Sequence, residues 1–316
     1  MAFREFSFKS YNGVDNVQAW GHMPYNSRPK GILHIVHGYG EHVRRFSYMI
    51  ERFLDAGYAV YGADTVGFGK TAEVNGDWGY PGDKGYVTYV RDQKSLHDIA
   101  AADFPGVPYF MYGFSMGSCI TRLYAAAYPE DLAGILMDGV LCRWKNADRI
   151  LAEGVLEAEI GRGEGKTPDD GTWASRIFIE GMVDHLPEGS APMAWMAVDP
   201  DLLRDNLEDP LNMDAHVPTK QILWNLMDAY RAANSASCVD SIPADMPMYM
   251  FGGDGDPSCG CGEGVYVVAN AFKSRGNKNI TVHLNPGYRH EVHKEPALKE
   301  AIMTDMIAST EKVAGK

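Results

Sequence analysis

The sequence predicts an α/β protein in which a doubly wound, mostly parallel sheet carries one inserted helical segment. Short apolar runs alternate with longer amphipathic runs along most of the 316 residues, a pattern typical of parallel strands connected by helices. One stretch, residues 143–236, breaks this alternation and holds no convincing buried strand. Ligands of doubly wound sheets bind beyond the carboxyl ends of the strands, so we expect the functional residues in the loops that follow the strands.

The apolar runs predict strands, and the amphipathic runs between them predict helices. The predicted strands are residues 31–36, 58–63, 107–112, 134–137, 248–251 and 280–284. The predicted helices are residues 46–56, 86–102, 118–128, 264–274 and 296–312. In the last helix Leu298, Ile302 and Met306 recur every four residues, which places them on one face.

Residues 143–236 are predicted to form an inserted helical cap on a core made of residues 1–142 and 237–316. The insertion holds four of the six tryptophans and many methionines, and most of these side chains are expected to pack its own interior. Flat tryptophan and flexible methionine also suit an apolar ligand. The candidates for lining such a pocket are Phe114, Trp144, Trp173, Trp195, Met196 and Trp224.

Composition excludes several classes of partner. The net charge of −13 and the pI near 5.2 argue against nucleic acid and anionic membrane surfaces, because like charges repel. No apolar stretch is long enough to span a bilayer, and the first residues lead into no signal-peptide core. Five cysteines lack the spacing of a disulfide framework. We therefore expect a cytoplasmic protein with no integral membrane segment.

The segment Gly113-Phe114-Ser115-Met116-Gly117 joins a predicted strand to a predicted helix and reads G-x-S-x-G. A sharp strand-to-helix turn needs small neighbours, and it exposes the serine hydroxyl above the sheet. The same turn leaves the N–H of Met116 at a helix start, aimed where an oxyanion forms during acyl transfer. Ser115 is therefore a candidate nucleophile.

A serine nucleophile needs a histidine base and a carboxylate that orients the base. On a sheet of this kind the acid and then the histidine follow the serine in the chain. Asp254 and Asp256 lie in a turn after predicted strand 248–251, and His290 follows predicted strand 280–284. Asp138, at the end of another predicted strand, is a third candidate acid.

The loop after the first predicted strand supplies the other half of an oxyanion site. His37 is followed by Gly38, Tyr39 and Gly40, and the flanking glycines let the N–H of Tyr39 point into the site. Each such donor is worth about 2.7–4 kcal/mol of the activation barrier. His37 and His42 are expected to support this loop through hydrogen bonds.

Taken together, these motifs resemble the monoacylglycerol lipase and lysophospholipase branch of the α/β-hydrolases. The resemblance extends over nearly the whole chain and is weakest in the insertion. It is carried by residues 37–42 (HGYGEH), 57–58 (GY), 64 (D), 67–71 (GFGKT), 113–117 (GFSMG), 253–257 (GDGDP) and 289–291 (RHE). It implies that Ser115 is the nucleophile, Asp256 the acid and His290 the base, with Tyr39 and Met116 as the oxyanion donors.

The resemblance also implies that residues 143–236 form the cap, and it favours Asp256 over Asp254 and Asp138 through its spacing. The chain departs from the family at two positions, where Phe114 and Phe68 replace histidines. Both changes make the surroundings of the site less polar.

Three other sequence patterns resemble metal or nucleotide sites, but each lacks a required residue. His293 and the pair Cys259 and Cys261 lack a second, properly spaced pair of metal ligands. Residues 64–71 lack the first glycine of a phosphate-binding loop, and residues 161–166 lack the third glycine of a dinucleotide fingerprint. We expect neither a cofactor nor a metal.

The sequence thus predicts a serine carboxylic-ester hydrolase of the monoacylglycerol lipase, lysophospholipase or carboxylesterase type, acting on a small-molecule ester or lipid through an acyl-enzyme. Two alternatives remain. The same triad serves other bonds in aminopeptidases and perhydrolases, and a protein of this fold can also bind a ligand without catalysis.

Overall fold

The computed structural model describes residues 2–25 and 27–315, and it has a single eight-stranded sheet. Met1, Asn26 and Lys316 lie outside the described residues. The strands are β1 (Ala2–Lys9), β2 (Asn16–Met23), β3 (Ile32–Val36), β4 (Ala59–Ala63), β5 (Tyr109–Phe114), β6 (Gly134–Asp138), β7 (Met248–Gly253) and β8 (Ile280–Asn285).

Helices cover the sheet and fill the insertion. Those outside the insertion are α1 (Ser47–Asp55), α2 (Gly69–Asn75), α3 (Val87–Asp103), α4 (Met116–Ala127), α11 (Glu263–Ser274) and α12 (Lys299–Ala314). Those that begin within it are α5 (Lys145–Glu153), α6 (Val155–Gly161), α7 (Thr172–Phe178), α8 (Pro200–Glu208), α9 (Lys220–Ala233) and α10 (Ala236–Ser241). Every predicted strand and helix has a counterpart within a few residues of its expected bounds.

The strand order is β1-β2-β4-β3-β5-β6-β7-β8, and all pairs from β4 to β8 are parallel. This arrangement confirms the predicted doubly wound α/β fold. Strands β1 and β2 form an antiparallel hairpin at one edge, which the apolar runs did not predict. The side chains of β1 alternate between half-buried and exposed, so this strand has no continuous apolar run to reveal it.

Alternate residues of the central strands face opposite layers of helices. Leu33 and Ile35 of β3 pack with α1 and α12, whereas Ile32 and Val36 pack with the layer that contains α3 and α4. This period of two follows from strand geometry. Because β3, β5, β6, β7 and β8 run parallel, their carboxyl ends lie together at one edge of the sheet, where the loops with the candidate site residues begin.

The insertion does not form a separate core. Trp144, Ile177 and Ile222 belong to the same buried apolar cluster as Met116 and Ile120 of α4. Within described residues 143–236 no stretch is a strand, and a single bridge pairs Pro168 with Thr219. The insertion is therefore packed directly onto the helix that follows Ser115.

Candidate active site

Ser115 lies in a strained turn between β5 and α4. Its backbone has φ 53° and ψ −117°, a left-handed φ that non-glycine residues rarely adopt. A Cβ on Gly113 would lie 2.2 Å from the carbonyl oxygen of Gly117, and one on Gly117 would lie 2.2 Å from that of Val36. The turn therefore requires glycine at both positions, as the motif predicted, and Ser115 remains half-buried among buried neighbours.

His290 and Asp256 form a buried pair. The Nδ1 of His290 lies 2.7 Å from Oδ2 of Asp256, and these side chains are 2% and 0% exposed. The other carboxylate oxygen accepts hydrogen bonds from the hydroxyl of Ser258 at 2.6 Å and from its backbone N–H at 2.9 Å. Both oxygens of Asp256 thus have hydrogen-bond partners, which fixes the orientation of the carboxylate relative to the imidazole.

The surroundings of Asp256 favour its charged form. Burial acts to raise the pKa of this carboxyl, but the charge and hydrogen bond of His290 and the two bonds from Ser258 outweigh it. The pKa of Asp256 consequently lies below its ordinary value. A charged Asp256 can hold an imidazole with its proton on Nδ1 and stabilise the imidazolium when it forms.

The competing carboxylates have other partners. Asp254 accepts a hydrogen bond of 2.7 Å from the backbone N–H of Gly287, so it braces the turn before His290, as expected for a turn-forming residue. Asp138 lies 2.6 Å from Nδ1 of His293, and its other oxygen accepts from the N–H of Gly139. A second buried Asp–His pair therefore lies behind the first.

The two phenylalanines that replace family histidines pack against the site. The ring centroid of Phe114 lies 4.9 Å from that of His290 and 4.6 Å from that of His293, so this ring separates the two Asp–His pairs. Phe68 makes edge contacts with Tyr39 and His37. Both positions are consequently apolar, as the sequence indicated.

The loop after β3 is held in place by its own polar residues. The Nδ1 of His37 lies 2.7 Å from the carbonyl oxygen of Gly38, and its Nε2 accepts from the N–H of Thr65. The Nε2 of His42 lies 2.9 Å from Asp209. These contacts confirm both histidines as loop supports. Among the described residues neither the N–H of Tyr39 nor that of Met116 donates to another backbone group, and their role as oxyanion donors stays a prediction.

A cavity of about 400 Å³ is lined by Ser115 and His290 together. Three of the predicted pocket residues, Phe114, Trp195 and Met196, line it. Further apolar lining comes from Met193 and Met213, which are among the methionines of the insertion, and from Tyr39, Phe178 and Ile179, which the sequence did not indicate for this role.

The remaining predicted pocket residues lie elsewhere. Trp144, Trp173 and Trp224 do not line this cavity, and their exposed fractions are 2%, 5% and 7%. They pack in the apolar cluster between the insertion and the sheet. Sequence composition does not distinguish these roles, because a buried tryptophan and a pocket tryptophan satisfy the same apolar preference.

A charged cluster that contributes to the lining of the cavity was not predicted from the sequence. Glu41 and Glu291 both line the cavity, and the Nζ of Lys294 donates to them at 2.8 and 3.1 Å. Burial would raise the pKa of Glu41, but the charge and hydrogen bond of Lys294 lower it to about 2. Asn206 donates to the other oxygen of Glu291. The sequence does show an acidic residue in each of two loops, Glu41 after β3 and Glu291 after β8. It does not show that Lys294 bonds to both, because the two loops are distant in the chain.

No group of three or more His, Cys, Asp and Glu side chains within residues 2–25 and 27–315 is placed to hold a metal ion. All five cysteines are free thiols, and of these only Cys261 is exposed. In the same described ranges, no helix combines the length and the apolar character that crossing a bilayer requires.

Residues 27–297 match the family described as serine aminopeptidase S33. The chain belongs to this family of α/β-hydrolases. A thermostable carboxyl esterase from Bacillus coagulans, solved in complex with glycerol, is 36% identical with a TM-score of 0.94, and the match covers 99% of both chains. A lipase solved in an open form is 31% identical with a TM-score of 0.94 over the whole of both chains.

The monoacylglycerol lipase of Mycolicibacterium smegmatis is 33% identical over 136 residues, which are 43% of this chain and 46% of the relative. The matched segment thus spans less than half of that curated protein. These lipase and esterase relatives confirm the resemblance to the monoacylglycerol lipase branch.

Proposed function

We propose that this chain is a serine hydrolase of carboxylic esters that uses Ser115, His290 and Asp256 as its catalytic triad. The observation that carries the proposal is one cavity lined by both a serine on a strained elbow and a histidine bonded to a buried carboxylate. The esterase and lipase relatives support the choice of bond.

In the proposed reaction the Oγ of Ser115 attacks the ester carbonyl carbon while His290 takes its proton. The N–H groups of Tyr39 and Met116 stabilise the resulting oxyanion. The tetrahedral intermediate expels the alcohol, which receives the proton from His290, and leaves an acyl-enzyme. Water, deprotonated by His290, then attacks the acyl-enzyme and releases the acid.

The lining of the cavity suits both parts of a lipid ester. Phe178, Ile179 and Met193 offer apolar contacts to an acyl chain, whereas Glu41 and Glu291 offer polar contacts to a hydroxylated alcohol. A monoacylglycerol fits this combination, and the insertion at residues 143–236 acts as the cap that supplies these apolar residues. The related Bacillus coagulans esterase was solved with glycerol.

An aminopeptidase activity, as in the family's description, is the second candidate. It requires a carboxylate free to bind the substrate's ammonium group. Glu41 and Glu291 are instead paired with Lys294, and Glu41 also lies 4.0 Å from Nε of Arg45. Asp214 lines the cavity as well and is exposed, so the preference for ester substrates rests on the esterase and lipase relatives.

A fluorophosphonate probe tests the nucleophile. The wild-type protein should be labelled at one site per chain, and Ser115→Ala should abolish labelling. Ser118→Ala, one helical turn away and buried, is the matched control and should keep it. Labelling that persists in Ser115→Ala would contradict the assignment.

A panel of p-nitrophenyl esters of rising acyl length, run beside an aminoacyl anilide, tests the bond and the pocket. Ester turnover should exceed anilide turnover, and Met196→Ala should shift the preferred chain length because Met196 lines the cavity. Met182→Ala, buried away from this cavity, should not shift it. Faster turnover of the anilide would favour the aminopeptidase.

A further inference from the structure

The loop that carries His290 is bonded to one segment of the insertion, residues 194–199, which we call the strap. The N–H of Glu291 donates to the carbonyl oxygen of Met196 at 2.8 Å. Four residues further on, the carboxylate of Glu295 accepts from the N–H of Val198 at 2.5 Å and from that of Asp199 at 3.4 Å. The strap is therefore fixed to the chain that follows the base.

On the other side of the base, Arg289 binds the same strap. Its Nη1 donates to the carbonyl oxygens of Ala194 at 2.5 Å and Ala197 at 2.8 Å. The hydrogen-bonding contacts of this side chain are thus with backbone oxygens of the insertion, although the residue belongs to the catalytic loop. Hydrogen bonds in which the donor is charged are stronger than neutral ones.

Trp195 lies between these anchors and contacts the base itself. Its ring centroid is 5.2 Å from that of His290, with 51° between the ring planes. Its Nε1–H donates to the carbonyl oxygen of Phe178 at 2.9 Å, which fixes the orientation of the indole. The indole and Phe114 thus both pack against the imidazole.

We propose that Arg289 is a positioning residue for the catalytic base: it binds the strap on either side of Trp195 and thereby holds the indole against His290. The inference rests on the proposed ester hydrolysis and extends it. Asp256 fixes one edge of the imidazole, and the strap fixes its face. This part of the insertion consequently does not move independently of the base.

A role in positioning the base has a kinetic consequence. Misplacing His290 weakens proton transfer in the transition state, whereas the apolar lining from Phe178, Ile179 and Met193 lies outside the strap. Loss of the Arg289 bonds should therefore lower kcat with little change in KM. Loss of an interaction that only stabilises the fold would reduce the number of active molecules without changing the turnover of each one.

The test compares Arg289→Met with Arg275→Met. Arg275 binds backbone carbonyl oxygens in the same way, at Asp240 and Ile242, but lies after α11 and away from the cavity. Ester hydrolysis is measured at several concentrations of one p-nitrophenyl ester, and active sites are counted with the fluorophosphonate. We expect Arg289→Met to lower kcat per labelled site by about tenfold to a hundredfold, with KM within about twofold, and Arg275→Met to change neither.

Arg289→Lys keeps a charged donor and should recover a substantial part of the lost kcat. It also serves as the test variant if Arg289→Met does not fold, with a smaller fall in kcat expected relative to Arg275→Met. Equal kcat per labelled site in the wild type and the Arg289 variants would overturn the inference. Absence of ester turnover in the wild type would instead overturn the proposed function.

Discussion

Each buried carboxylate around the site has a specific partner. Asp256 is held by His290 and Ser258, Asp138 by His293, and Glu41 by Lys294. An unpaired charge at such depth is strongly unfavourable. These pairings therefore determine which carboxylates and histidines can take part in a reaction. Of the two buried Asp–His pairs in the described residues, only that of Asp256 and His290 has a member, His290, that lines the cavity with Ser115.

Replacing Asp256 tests this assignment among the acidic residues. Asp256→Asn should lower kcat by about 10⁴-fold, because an amide favours the wrong tautomer of the base. Asp254→Asn is the matched control from the same turn and should lose far less, since Asp254 only accepts a bond from Gly287. Steady-state ester hydrolysis measures both, and a greater loss in Asp254→Asn or Asp138→Asn would contradict the choice of acid.

Ser258 should influence how the stability of the fold depends on pH in acid. Because the pKa of Asp256 is lowered in the folded protein, its charge stabilises the fold above the ordinary carboxyl pKa, and this stabilisation is lost as pH falls through the lowered value. Ser258→Ala removes a hydrogen bond to the charged form, worth about 1.5–3 kcal/mol, and so raises that pKa.

The variant should therefore begin to lose thermal stability at a higher pH than the wild type. The measurement is the melting temperature across the acidic range. Ser274→Ala, which removes an exposed hydroxyl bonded to a backbone carbonyl, is the control. The same dependence of melting temperature on pH in the two variants would exclude this role for Ser258.

At the scale of the elements, close contact between β5, α4 and β3 creates the elbow. Gly117 of α4 faces the carbonyl oxygen of Val36 in β3, and Gly113 of β5 faces that of Gly117. The strain at Ser115 persists because the surrounding strands hold the turn. The same contact aims the first N–H groups of α4 at the carboxyl edge of the sheet.

Gly117→Ala should disrupt this junction. Its Cβ would lie 2.2 Å from a backbone oxygen of a central strand that cannot retreat, so the free energy of unfolding should fall by about 3 kcal/mol or more. Gly252→Ala in β7 meets nothing within 4 Å and should change it by about 0.5 kcal/mol at most. Urea unfolding measures the free energy of unfolding of both variants. Equal losses would show that the structure accommodates a Cβ at Gly117 beside the carbonyl oxygen of Val36.

Across the whole molecule, Arg122 connects the elbow helix to both ends of the insertion. Its side chain is 1% exposed and has no carboxylate partner among the described residues. It donates to the carbonyl oxygens of Leu141, before the insertion, and Ala233, at its end, and to the side chain of Asn234. The two ends of the insertion are thus held together beside the helix that begins after Ser115.

Arg122→Met should remove the guanidinium donor from these oxygens, of which that of Leu141 keeps a bond from Asn234, at about 1–3 kcal/mol for each oxygen left unpaired. We expect a fall of about 3 kcal/mol or more in the free energy of unfolding, together with faster proteolysis within residues 143–236. Arg231→Met, which removes an arginine paired with Glu157 and Asp228 near the surface, should lose less than about 1 kcal/mol. Similar losses in both variants would contradict the anchoring role.

The sequence by itself determined the parallel core and the elbow at Ser115, because hydrophobic period and turn geometry depend on residues close together in the chain. It also placed Asp256 and His290 after the correct strands, since those loops follow directly from the strand order. Both features are local, and the structure reproduces them with small shifts at the ends of the elements.

Tertiary structure alone decided which side chains meet across the fold. The partners Asp138 and His293 are 155 residues apart, and only the sheet order brings them together. Likewise Trp195 contacts His290, whereas Trp144, Trp173 and Trp224 are packed in the core. Local sequence cannot distinguish these cases, because the burial and pairing of a side chain depend on which distant segments pack around it.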